Sequence, residues 1–193
     1  MTPGKIVHTF TTKSGKKAEI RYPQSEDAVD LMEFINTISK EDTFIRFAGE
    51  QQTLEGEQTY LDSEIALIER GDAVKLFCYV DGQMAGGCDI HRDTGLLTRR
   101  QHVGIFGLLV AEKFRGEGIG TNLMTATIQE GKQQIVGMRM IMLDCFSTNV
   151  PACNLYKKMG FKEVGRIPQA LFHKGAYVDE IEMVLPLIER TQA

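Results

Sequence analysis

A long apolar run ending in a glycine-rich hexapeptide constrains this chain more than any other feature. His102 to Val110 (His-Val-Gly-Ile-Phe-Gly-Leu-Leu-Val) reads as a buried strand. Arg115-Gly116-Glu117-Gly118-Ile119-Gly120 follows it, then a helix to about Gln133 and a second apolar strand from Met138 to Cys145. A helix between two such strands is a crossover, so the strands at 102–110 and 138–145 are expected to run parallel. The helix must cover one face of the sheet that holds them, which implies an α/β fold, or more broadly an α+β mixed sheet.

The flanking segments extend that sheet. Ile6, His8 and Phe10 alternate, Ser14-Gly15 makes a turn, and Ala18, Ile20 and Tyr22 alternate again, predicting a hairpin over 5–22. Ser25 is a candidate N-cap for a helix carrying Val29, Met32, Phe34, Ile35 and Ile38 on its apolar face. Residues 41–56 are polar and irregular, and a second helix is expected over 57–70, ending near Gly71. Strands at 73–80 and 83–91 flank Asp81-Gly82, a strong hairpin signal. A loop from Arg92 to Arg100, a short helix from Pro151 to Met159, and strands at 161–167 and 176–187 complete the pattern. Met138, Met140 and Met142 alternate and read as core. With no repeat, linker or low-complexity stretch, residues 1–193 are expected to form one domain.

Composition removes several classes of function. The net charge is −4 and the pI about 5.6, which argues against a broad nucleic-acid footprint. Cys78, Cys88, Cys145 and Cys153 form no C-x-x-C pair, so neither a metal site nor a disulfide framework is indicated. No signal peptide or run of ~20 apolar residues is present, and the reading is a cytoplasmic protein without a membrane partner.

The glycine loop joins a strand to a helix, where backbone N–H groups can converge on an anion. Gly116, Gly118 and Gly120 permit close approach, Arg115 adds a charge suited to phosphate, and Thr121 offers a hydroxyl. A dinucleotide fingerprint fails, because the third glycine position is Leu123 counted from Gly118, or Ile119 counted from Gly116. The Gly-Lys-Ser/Thr of a P-loop is absent. On the loop alone, a pyrophosphate cradle and a plain glycine turn both stand.

A second motif changes the balance. Asn149-Val-Pro-Ala152-Cys-Asn154-Leu155-Tyr156-Lys-Lys158-Met-Gly160-Phe161 follows the strand at 138–145. Together with Arg115-x-x-Gly118-x-Gly120 it resembles the GNAT family of N-acetyltransferases, over roughly residues 75–187. The resemblance implies an acyl-CoA N-acyltransferase fold whose central parallel strands splay apart, with acetyl-CoA as co-substrate and no metal. It implies pantetheine pairing along Leu108, Leu109 and Val110, and pyrophosphate binding by N–H groups from Arg115 to Thr121, including Ile119. It assigns cofactor contacts to Asn149, Asn154 and Lys158, and places Tyr156 near the thioester sulfur. The acceptor implied is a primary amine, either a small molecule or a protein amino terminus. A homodimer and a bacterial type of enzyme accompany the resemblance.

The implied reaction is direct attack of a neutral amine on the thioester within a ternary complex. Tyr156 is the candidate acid for the leaving thiolate, and a backbone N–H near Leu109 or Val110 the candidate donor to the acyl oxygen. Ile105 stands where related sequences often carry a Glu base, so Asp144 is the first candidate for that role, with a water chain to bulk as the competing account and His102 and His173 behind them. Gly175, Tyr177 and Asp179 keep a Gly-x-Tyr-x-Asp pattern, assigned to the acceptor cleft, a dimer contact or simply a hairpin. A catalytically weak acyl-CoA sensor of the same fold is the alternative function.

Overall fold

The computed structural model describes residues 2–41, 43–45, 49–95 and 97–188. Eight strands form one sheet: β1 (Ile6–Thr11), β2 (Lys17–Arg21), β3 (Ala73–Val80), β4 (Gln83–Arg92), β5 (Val103–Val110), β6 (Met140–Phe146), β7 (Lys162–His173) and β8 (Ala176–Pro186). Their spatial order is β1-β2-β3-β4-β5-β6-β8-β7. Only β5 and β6 pair in parallel, as the crossover between them requires; every other pairing is antiparallel.

Among the described residues, four α-helices cover the sheet. α1 (Ala28–Ser39) and α2 (Leu54–Glu69) lie on the face carrying Lys75, Asp89 and His91, and α3 (Ile119–Gln134) and α4 (Val150–Lys158) on the opposite face. The covered β3 is buried at every position, because helices sit on both of its sides. Leu123 and Met124 of α3 pack into that core with no exposed surface. Truncating Leu123 to Ala would cost about 2–5 kcal/mol, the range for an apolar side chain removed from a close-packed site. No helix among the described residues is long and apolar enough to cross a membrane.

Several boundaries differ from expectation for local reasons. Ser25 does not cap α1: residues Ser25–Asp27 form a 3-10 turn behind Gln24, and Asp27 takes the Gln24 N–H and the Arg21 guanidinium. α2 begins at Leu54 rather than 57, because the Thr53 hydroxyl accepts the Gly56 N–H. The stretch expected as a plain loop holds a 3-10 turn over Leu97–Arg100. Val150 precedes Pro151 in α4, where Asn149 is the N-cap. β6 starts at Met140, so Met138 lies outside it. Met140 and Met142 are half-buried on the α1–α2 face, while Ile141, Leu143 and Cys145 supply the core side. β7 runs to His173, well past the predicted end at 167, because it pairs with nearly all of β8.

Candidate active site

A gap in the sheet organises the site. β5 pairs with β4 from Gly104 to Val110, and β6 pairs with β8 from Met140 to Phe146. Between themselves β5 and β6 pair only over Val103–Ile105 and Met140–Met142. Beyond Ile105 and Met142 each strand keeps its outer partner and loses its inner one, so the two splay apart. The Ala111 N–H donates to Ala85 O at 3.1 Å, and antiparallel alternation then turns Leu109 and Gly107 toward β4. Leu108 and Val110 direct their backbone polar groups into the gap. Leu109 therefore spends its N–H on β4, and of the three strand residues only its two neighbours can offer a donor there.

The glycine loop closes the α3 end of this gap. Gly118 is the N-cap of α3 at φ 89°, a left-handed conformation that glycine adopts without a Cβ penalty. No side chain caps the helix, which leaves the N–H groups of Ile119, Gly120 and Thr121 facing outward. A Cβ on Gly120 would come within 3.2 Å of Leu155 Cδ2, so the glycine also lets α3 and α4 approach each other. Gly116, at φ 80°, has open space where a Cβ would stand. Arg115 is otherwise engaged: its Nη2 lies 2.5 Å from Glu41 Oε2 and its Nε donates to Val110 O at 3.0 Å. Glu41 also accepts the Glu112 N–H. The first hairpin docks on the loop as well, through the Ser14 N–H to Glu117 Oε2 at 2.9 Å.

α4 lines the same face. The Asn149 Oδ1 accepts the Ala152 N–H at 3.3 Å, while Asn154 and Lys158 are exposed. Tyr156, 8% exposed, turns inward and meets Phe106 edge-on at 6.2 Å and Phe161 at 6.1 Å. Burial, then the neighbouring thiols of Cys145, Cys88 and Cys153, push its hydroxyl well above the ordinary phenol range. It stays protonated throughout the neutral range. Cys145 and Cys153 face each other with Sγ atoms 3.5 Å apart, and all four cysteines are free and buried.

Asp144 reaches the gap from the other face. It is exposed, pairs across to Glu182, and with burial raises the Glu180 carboxyl above its usual range. Ile105, 37% exposed, and Met142 lie beside it on that face. Phe146 forms an aromatic wall with Phe44 at 5.5 Å and His173 at 5.5 Å. His102 is exposed at the closed end of the strands, before the gap begins. The Gly-x-Tyr-x-Asp pattern builds a hairpin: Lys174 and Gly175 take positive φ at the tip. Tyr177 lies 69% exposed against Phe172, and Asp179 accepts the Gln169 N–H and the Arg166 guanidinium at an irregularity of β7.

The structure adds a cluster that motif reading missed. Lys75 Nζ donates to Tyr60 Oη at 2.8 Å and Asp89 Oδ2 at 3.0 Å, and lies 3.4 Å from Glu64 Oε2. His91 Nε2 meets Glu64 Oε2 at 2.8 Å, and its Nδ1 lies 3.4 Å from Asp89 Oδ1. Burial opposes both charges, but the two carboxylates prevail and raise the His91 imidazole to about 9; Lys75 and His91 hold Asp89 at about 2. The only sequence signal was a lysine inside the otherwise apolar run 73–80, with Asp89 and His91 two residues apart on a strand. Among the described residues no group of three His, Cys, Asp or Glu side chains is arranged to hold a metal ion.

Comparison with known proteins places these features in a family. Residues 33–161 match the Acetyltransferase (GNAT) family. The chain is 32% identical over 117 residues to the L-amino acid N-acetyltransferase AaaT of Escherichia coli K12, covering 61% of this chain and 70% of that one. It is 29% identical over 152 residues to an N-alpha-acetyltransferase of Sulfurisphaera tokodaii, covering 79% and 84%. The fold superposes with a TM-score of 0.77 on yncA from Salmonella typhimurium, a putative acetyltransferase solved with its cofactor acetyl-CoA, at 17% identity over 91% of this chain and 97% of that one. With that match over most of its length, the chain belongs to the GNAT family of acetyltransferases.

Proposed function

We propose that this chain moves the acetyl group of acetyl-CoA to a primary amine, on a small molecule or a protein amino terminus, by direct attack in a ternary complex. The observation that carries this reading is the gap between β5 and β6, with outward-facing N–H groups at one end and a buried, protonated tyrosine on its wall. The relatives named above are an L-amino acid N-acetyltransferase and an N-alpha-acetyltransferase, which supports an amine acceptor.

The residues present suit acetyl-CoA. An uncapped helix start behind three glycines fits a pyrophosphate, and the free inner edge of β5 fits an extended amide-bearing arm. Bound there, acetyl-CoA supplies an activated acyl carbonyl and a thiolate leaving group. N–H groups from Gly116 to Thr121 hold the anion, and Leu108 and Val110 pair with the arm. The N–H of Leu108 or Val110 meets negative charge developing on the acyl oxygen, which replaces the donor expected at Leu109. Asn149, Asn154 and Lys158 border the cofactor from α4, and Arg115 fixes the loop through Glu41 rather than reaching the phosphate. Tyr156 gives its proton to the departing sulfur, and Asp144 takes a proton from the acceptor on the opposite face.

Replacing Tyr156 with Phe tests the assignment. Turnover should fall about 100-fold, the lower end for loss of a general acid, with acetyl-CoA affinity unchanged. A loss of affinity without a loss of turnover would make Tyr156 a binding residue.

A further inference from the structure

The acid missing at Ile105 has a counterpart on the neighbouring strand. Asp89 of β4 stands opposite Gly107 of β5 on the α1–α2 face. A Cβ on Gly107 would lie 2.9 Å from Asp89 Oδ1, so the carboxylate rests directly over the glycine. Glycine is a poor strand former, and its use in mid-strand signals the close approach of another group. Gly107 immediately precedes Leu108, whose backbone faces the gap. Asp89 is 24% exposed and His91 29%, so this part of the cluster reaches the surface.

Asp89 belongs to a buried cluster of charged side chains. Lys75 and His91 are matched by Asp89 and Glu64. Glu57, one helical turn before Tyr60, is a third carboxylate in the field of Lys75. It is buried, and its Oε2 has no hydrogen-bond partner. Burial raises its carboxyl above the usual range, with Lys75 only partly offsetting this. Burial thus favours the neutral form of Glu57, and the charges that remain are two cations against two carboxylates. Buried ion clusters are seldom worth their desolvation to stability alone, and they are a recognised mark of functional sites.

We propose that Asp89, laid over Gly107 on the acceptor face of β5, receives the ammonium group of the acceptor and holds it beside the gap. This rests on the acetyl-transfer reading and deepens it: the acceptor is recognised as a cationic primary amine. Lys75 and His91 fix the carboxylate from below, leaving its remaining lone pairs for the substrate. The ammonium then loses one proton to Asp144 and on to solvent. The second nitrogen proton leaves as the amide forms, and the proton given by Tyr156 to the thiolate is replaced from it. The sum is ammonium plus thioester giving amide, thiol and one released proton.

Two substitutions test the role from different directions. Asp89→Asn removes the charge; Gly107→Ala keeps it but pushes the carboxylate aside, and does not unpair Lys75 by deletion. Steady-state release of coenzyme A thiol is measured against amine concentration, with acetyl-CoA affinity measured by calorimetry on the same preparations. The expected result in both variants is an amine KM raised at least tenfold, with a smaller change in kcat and acetyl-CoA affinity within twofold. An amine KM within twofold of the parent in folded Gly107→Ala overturns the proposal, whether or not Asp89→Asn folds. If the unaltered protein itself releases no thiol with any amine, acetyl transfer fails rather than Asp89.

Discussion

His91 should make the stability of this protein depend on pH in a specific window. Its imidazole is raised from 6.5 to about 9 by Asp89 and Glu64 acting against its burial. Moving the imidazole from 6.5 to about 9 corresponds to about 3 kcal/mol at most. The folded value lies above the unfolded one, so the folded state binds the extra proton. The contribution is fully present below pH 6.5 and is lost as pH rises through about 9. For a chain of this length, each kcal/mol moves Tm by roughly 2–4 °C. Thermal melts of the parent and of His91→Gln, followed by circular dichroism from pH 6 to pH 10, isolate the effect because other titrating groups are common to both. The parent should exceed the variant by roughly 6–12 °C more at pH 6 than at pH 10. A gap that stays constant across that range would refute the reasoning, and would mean that His91 is not held as a cation between the two carboxylates.

Three further outcomes are expected. Gly118→Ala places a side chain at φ 89°, which should cost about 1–2 kcal/mol and weaken acetyl-CoA binding measured by calorimetry. Asn149→Ala removes the side-chain acceptor for the Ala152 N–H and should lower stability in urea titration by about 1 kcal/mol. Burial raises Cys78 and Cys145 to about 12, so at pH 8 they should react with a thiol reagent only after denaturation, as counted by absorbance against time.

The cofactor side of the candidate site could be proposed from the chain because its chemistry is local. A strand, a glycine loop and a helix start are contiguous, so Gly116, Gly118 and Gly120 could be assigned to an anion before any tertiary contact was known. Tyr156 and Asn149 could be proposed for the same reason, standing on and at the start of one short helix. The acceptor side is assembled from distant segments. Glu64, Lys75, Asp89 and His91 come from a helix and two strands, and each alone looks like a solvated charge. Their meeting depends on the β3–β4 register, which pairs Lys75 with Asp89, and on α2 turning Tyr60 and Glu64 onto them. Met140 and Met142 show the converse error. Their alternation was correct but its facing was not, because period two alone does not say which side of a strand is core. The backbone direction of Leu109 likewise needed the β4 register.

Calorimetric titration with acetyl-CoA, followed in the same sample by thiol release against a panel of primary amines and amino-terminal peptides, tests the central claim most directly. The account predicts saturable binding at one site per chain and thiol release only when an acceptor amine is present. Absence of acetyl-CoA binding, or binding with no release from any acceptor, would contradict it.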